Sequence, residues 1–204
     1  MAVLCALTAA TSSRAQVVVG FGGGANRSNF SVTEAGVAPA VPYDSRTGLV
    51  VSGLIGVRAT PWLTVQLEAR YSQEGTRQTE EGLTASLRLS YLHLPLVARF
   101  NVPGKDWPVR PFLGAGGFVG FETKCGLEAS GALSLEIGCD AAEIDPPSTV
   151  YGVLFGGGAD VPVGRGAVSL GIEYSLGLQN LADDPGVDGF SRVLGFVVGY
   201  RLEL

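Results

Sequence analysis

Short segments of strictly alternating apolar and polar residues, abundant glycine and the lack of any long apolar run predict one fold. It is an all-β chain closed into an eight-stranded antiparallel up-and-down transmembrane β-barrel, with short periplasmic turns and longer extracellular loops. The clearest segment is 63–72, Leu-Thr-Val-Gln-Leu-Glu-Ala-Arg-Tyr-Ser. Successive strand side chains point to opposite faces, so Leu63, Val65, Leu67, Ala69 and Tyr71 share one face. Thr64, Gln66, Glu68, Arg70 and Ser72 share the other. A glutamate and an arginine facing an apolar interior would be costly. The pattern is satisfied when the apolar face meets lipid and the polar face lines a narrow barrel. Thirty glycines among 204 residues disfavour helices, and no uncharged apolar run reaches the roughly 18 residues of a membrane helix.

The first strand is expected at 16–29, with Val17, Val19 and Phe21 outward and a glycine-rich inner face. The second, 47–60, turns Leu49, Val51, Ile55 and Val57 outward and Ser52, Gly56 and Arg58 inward. The third is 63–73. The fourth, 84–100, starts with Leu87, Leu89 and Tyr91 outward and Ser86, Arg88 and Ser90 inward. After Tyr91 its phase shifts, so that Leu92, Leu94, Leu96, Ala98 and Phe100 face out opposite His93 and Arg99. Such a slip predicts a β-bulge near Tyr91, with Pro95 fitting the irregularity. The fifth, 111–121, has two apolar or glycine faces. The sixth, 150–161, places Asp160 inward and Tyr151 outward. The seventh, 167–179, alternates cleanly, with Glu173 inward. The eighth, 192–204, points Leu194, Phe196, Val198, Tyr200, Leu202 and Leu204 outward.

The connections alternate long and short, which puts both chain ends on the periplasmic side. Trp62 and Trp107 fall in the short turns, and Tyr71, Tyr91 and Tyr151 lie toward the opposite rim, as aromatic interface girdles do. Residues 1–15 read as an export signal whose true start is expected upstream, because its positive end is missing, and 16–204 as the barrel domain. Cys125 and Cys139 share one long loop, and an exported chain meets an oxidising compartment, so they are expected to form a disulfide.

These pieces resemble small exported outer-membrane β-barrel proteins of the PorT-like, OmpA-like-barrel kind. The resemblance is carried by Val-Gly-Phe-Gly-Gly-Gly-Ala-Asn at 19–26, Tyr-Leu-His-Leu-Pro-Leu at 91–96, Arg-Pro-Phe-Leu-Gly-Ala-Gly at 110–116 and Tyr-Ser-Leu-Gly-Leu-Gln-Asn at 174–180. The last six residues look like the barrel-assembly signal of such proteins: Gly199, then Leu202 and Leu204, with leucine where phenylalanine is usual. The resemblance implies the bacterial outer membrane and delivery by the barrel-assembly machinery, and it implies no activity.

Eight strands leave an interior about wide enough for its own side chains. The inward set Arg58, Gln66, Glu68, Arg70, Arg88, His93, Arg99, Asp160 and Glu173 carries both charges, so a salt-bridged plug is expected. No catalytic group, cofactor or metal site is expected. A narrow pore is the alternative for the interior. A lipid-A-modifying enzyme would need His93 to serve Ser90, and a soluble calycin-like barrel holding a lipophile would need the faces reversed. The net charge of −5 disfavours nucleic acid. The expected partners are outer-membrane lipid and lipopolysaccharide, with an extracellular ligand or protein met by acidic loops (Glu74, Glu80, Glu81, Glu122, Glu128, Glu136, Asp140, Glu143, Asp145, Asp183, Asp184, Asp188), and the chain is expected to be a monomer.

Overall fold

The computed structural model describes residues 16–34, 44–80, 83–102, 107–130, 134–139, 147–179 and 187–204; the expected signal segment 1–15 lies outside them. The strands are β1 (Gln16–Glu34), β2 (Asp44–Arg58), β3 (Leu63–Glu80), β4 (Leu83–Asn101), β5 (Arg110–Ser130), β6 (Ser134–Gly138), β7 (Thr149–Val163), β8 (Gly166–Gly177) and β9 (Val187–Glu203). All pairings are antiparallel, in the order β4-β3-β2-β1-β9-β8-β7-β5, and a β4–β5 ladder closes the ring. Eight strands form the wall. The short β6 folds back on the far half of β5 as an extra hairpin.

The faces divide as hydration chemistry requires. Phe21 is 68% exposed, Leu113 69% and Leu67 49%, whereas Glu68 is 5% and Arg70 8%. The apolar belt faces away from the barrel and the ionic groups are enclosed, which is the arrangement a lipid surround demands. A lipophile-binding calycin would show the opposite. The same parity resolves β5: Phe112 and Phe118 point in among Gly114, Gly116 and Gly120, while Leu113 and Phe121 point out. Those glycines make room, as at Gly152, where an added Cβ would stand 2.7 Å from Cζ of Phe118.

Two expectations are corrected. First, the slip near Tyr91 is in the β4–β5 ladder, but the extra residue is Thr123 on β5: Ser90 pairs with Lys124 and Tyr91 with Glu122. Thr123 Oγ1 donates to the Ser90 carbonyl at 2.9 Å. The alternation of β4 is therefore unbroken, and Leu89 and Tyr91 share the inner face with His93. Pro95 disturbs the other side of β4, where no β3 pairing forms between Leu67–Leu96 and Arg70–His93, since proline has no N–H to give. Second, much of what reads as loop is strand. β3 runs through Glu74 to Glu80, and β5 reaches Ser130, 21 residues in all. A tilted strand crosses the hydrocarbon in roughly 9–11 residues, so the sheet continues well beyond it at the loop end.

Candidate functional site

The interior lattice is built from inward positions of six strands. Arg201 Nη1 donates to Gln66 Oε1 at 2.8 Å, and Gln66 Nε2 donates to Glu68 Oε1 at 2.6 Å. Arg70 Nη2 donates to Glu68 Oε2 at 2.6 Å, while its Nη1 lies 2.6 Å from Glu173 Oε2. Toward the turn end, Arg99 Nη2 donates to Asp160 Oδ2 at 2.5 Å and its guanidinium stacks 3.3 Å from the centre of the Phe112 ring. Ser169 also donates to Asp160. Arg58 pairs with Glu203 at the rim. Glu68, Arg70, Glu173, Arg99 and Asp160 thus have opposite partners, without which their desolvation would be severe, while the buried Arg201 is held by the neutral Gln66.

Toward the loop end the lattice turns neutral and aromatic. Asn26 Nδ2 donates to Ser72 Oγ at 2.7 Å, and Ser72 donates to Glu74 Oε1 at 3.0 Å. His93 Nε2 stands 3.4 Å from Glu74 Oε1. The imidazole stacks on Phe118 at 4.9 Å and meets Tyr91 edge-on at 5.6 Å. The cavities here are small: 20 Å³ beside His93, Tyr91 and Phe118, and 60 Å³ among Gln66, Glu68, Arg70 and Arg99. They have room for a few waters.

The structure brings together Arg58, Gln66, Glu68, Arg70, His93, Arg99, Asp160 and Glu173 on the inner face. It separates Arg88, which points outward from β4 with a half-exposed side chain paired to Glu128. The cause is the unbroken alternation of β4: without a slip on that strand, an even-numbered residue cannot share a face with His93. Tyr91 is corrected for the same reason. It is 3% exposed inside the barrel and takes no part in a girdle. Ser90 faces out, accepting a hydrogen bond from Tyr71 Oη at 3.1 Å. His93 and Ser90 therefore lie on opposite faces and form no catalytic pair.

Trp62 and Trp107 are half-exposed at the turn end, and the Trp62 ring stacks on Phe100 at 6.0 Å. Tyr71 and Tyr151 face outward toward the loop end, with Tyr151 52% exposed. At the C-terminus, Gly199 faces inward, Leu202 outward, and the Leu204 amide donates to the Val17 carbonyl at 2.9 Å. Cys125 and Cys139 are disulfide-bonded across the β5–β6 hairpin, with Cα atoms 5.5 Å apart.

Of the acidic loop residues, Glu74 sits inside the barrel, and Glu80, Glu122, Glu128, Glu136 and Asp188 lie on strands. Glu81, Asp140, Glu143, Asp145, Asp183 and Asp184 fall outside the described residues. Sequence reasoning missed Arg201, Glu203 and Glu74 as interior groups. Parity would have found the first two, since they alternate with the outward Tyr200, Leu202 and Leu204.

The family model for the outer membrane protein beta-barrel domain matches residues 9–183. No curated protein matches the sequence. Among solved structures, Neisserial surface protein A is similar in fold, with TM-score 0.51, 14% identity, and coverage of 92% of this chain and 97% of that one. OprG from Pseudomonas aeruginosa is similar to the same degree, with TM-score 0.51, 13% identity, and coverage of 92% and 96%.

Proposed function

The chain belongs to the outer membrane protein beta-barrel domain family and resides in the bacterial outer membrane, and from that premise we propose that it is a sealed, non-catalytic barrel that anchors and displays a raised surface sheet for adhesion or envelope integrity. The observation that carries this reading is the lattice running from Arg201 through Gln66, Glu68 and Arg70 to Glu173. It crosses the interior from wall to wall and pairs Arg70 with Glu68 and Glu173 on the way, which is what a plug does and a conduit does not. Above it, β3, β4, β5 and β6 extend past the lipid and are tied by the Cys125–Cys139 bridge, giving a firm platform for contact. The protein acts as a monomer delivered by the barrel-assembly machinery through its last strand, with Gly199, Leu202 and Leu204 as the signal, after loss of the export segment 1–15.

Planar-bilayer recording tests the reading. Purified protein that is heat-modifiable on gels is expected to give no discrete conductance steps and to release no fatty acid from lipopolysaccharide. Regular steps from wild-type protein would replace the sealed barrel with a pore.

A further inference from the structure

We propose that the loop-end half of the interior holds one small monovalent metal cation, a sodium ion, between Asn26 on β1, Glu74 on β3, His93 on β4 and Glu173 and Ser175 on β8. These five residues line one cavity of 20 Å³, above the roughly 10–15 Å³ that a single water needs. Two buried polar atoms there, Asn26 Oδ1 and His93 Nε2, make no hydrogen bond within the protein. Asn26 is 1% exposed and His93 7%. Buried polar atoms left bare in this way call for a partner.

Local hydrogen bonding fixes what each group presents. Ser72 donates its one proton to Glu74 Oε1, so toward Asn26 it can only accept, and it takes the amide Nδ2 at 2.7 Å. Asn26 is thereby left with Oδ1, an acceptor, to satisfy. His93 Nε2 stands 3.4 Å from Glu74 Oε1, yet the ring is not turned to aim an N–H at that oxygen. Glu173 Oε2 lies 2.6 Å from Arg70 Nη1 but off the axis of its N–H bonds, so its lone pairs are also open. These three atoms are satisfied together as acceptors. A water has only two protons to give, whereas one cation takes all three, and Ser175 adds a hydroxyl oxygen.

The charges call for the same occupant. Across this cavity Arg70 faces two carboxylates, Glu74 and Glu173. It also holds Glu68, which Gln66 links to Arg201. One surplus negative charge is left, and one monovalent ion cancels it. Among the described residues no three His, Cys, Asp or Glu side chains are placed to chelate a metal, as a zinc-type site requires. Amide, hydroxyl and carboxylate oxygens are hard donors and favour a hard ion instead. A second cavity of 20 Å³ is lined by Glu74, His93 and Ser175 and, toward the loop end, by Gln179 and Ser191, which gives such an ion its way in. This inference rests on the inner face of the barrel and is independent of whether the barrel is sealed.

The chain has one histidine, so isotope-labelled histidine reports on this site alone by nuclear magnetic resonance. The folded protein in zwitterionic micelles is titrated with sodium chloride against choline chloride, at constant ionic strength and pH. The His93 Nε2 resonance is expected to move and saturate with sodium and to stay in place with choline. Urea unfolding in lipid vesicles is the second readout. Sodium is expected to raise the folding equilibrium constant about tenfold, the gain when it stands at roughly ten times its Kd, and choline is not. Gly195→Ala puts a methyl against the cavity, where an added Cβ would meet nothing nearer than the Glu173 carbonyl oxygen at 3.9 Å. That variant is expected to fold and to lose both responses. Ser175→Ala removes one oxygen and is expected to weaken them a few-fold, so a folding failure of the first variant does not shelter the proposal. Gly171→Ala, beside the 60 Å³ cavity instead, is expected to keep them. A resonance that ignores sodium would overturn the proposal and leave a proton or a water as the occupant. Equal effects of the two salts, or a full sodium response in Gly195→Ala, would overturn it as well. Ion conduction by the same preparation would end the sealed-barrel reading and leave this one standing.

Discussion

Arg70 on β3 meets Glu173 on β8 across the full width of the barrel, Nη1 to Oε2 at 2.6 Å. The two strands are four steps apart in either direction around the ring of eight. Arg70 also holds Glu68 on its own strand. One guanidinium therefore bridges two carboxylates from opposite walls, and its loss strands both. Arg70→Met is expected to destabilise the barrel by about 3 kcal/mol or more, the usual cost of leaving a buried charge unpaired. The triple change Arg70→Met, Glu68→Gln, Glu173→Gln is expected to cost less than Arg70→Met alone. Urea unfolding in lipid vesicles measures both, and a triple variant as weak as the sum of its parts would contradict the coupling.

Leu67 and Glu68 are neighbours in sequence with opposite fates, 49% and 5% exposed. Leu67→Arg puts a cation into the hydrocarbon, with an expected cost of about 2–4 kcal/mol near the bilayer midplane. Thr47→Arg, outward on β2 but beyond the apolar belt, is expected to cost less than about 1 kcal/mol. Folding titrations of the two variants in the same lipid give the comparison, and equal costs would mean that the outward face does not meet lipid.

Gly152 faces inward from β7 beneath the Phe118 ring. An added Cβ would lie 2.2 Å from the Leu176 carbonyl oxygen as well as 2.7 Å from Phe118 Cζ. Overpacking of this kind typically costs about 1–3 kcal/mol. Gly152→Ala is therefore expected to lower the temperature at which the folded form converts to the slow-migrating form on gels. Adding Phe118→Leu is expected to recover part of that loss by relieving the ring contact.

The Cys125–Cys139 bridge closes a segment of sequence separation 14, worth about 3 kcal/mol of unfolded-chain entropy in the loop-closure model. It lies in the hairpin beyond the membrane, so Cys125→Ser with Cys139→Ser is expected to act locally. Amides of β6 and the far half of β5 are expected to exchange with solvent at least tenfold faster, whereas those of β8 are not expected to change. Uniform acceleration over the whole barrel would show that the hairpin and the wall unfold as one unit.

Much of this architecture was legible because alternation in a strand fixes the face of every residue once one is known. Glu68, Arg70, Asp160 and Glu173 could be assigned inward, and Leu67 and Phe196 outward, without any contact information. The error at Tyr91 and Arg88 has a definite cause. A ladder slip belongs to two strands, and one sequence segment cannot say which of them carries the extra residue; here it is Thr123. The end of β3 was misread because, beyond the lipid, both of its faces are polar and the alternating signal fades, which hid Glu74.

The ladder joining β1 to β9 runs from Val18–Glu203 to Glu34–Val187. It unites the first strand made with the last, so the ring stays open until the final strand arrives. Until that moment Arg70 has no Glu173 opposite it and Arg201 no Gln66, and both guanidinium groups must remain hydrated. The nascent sheet is consequently expected to enter the membrane with a water-filled cleft on its concave side. Drying of that cleft coincides with zippering of the two ends, which makes it the step that commits the chain to its finished state.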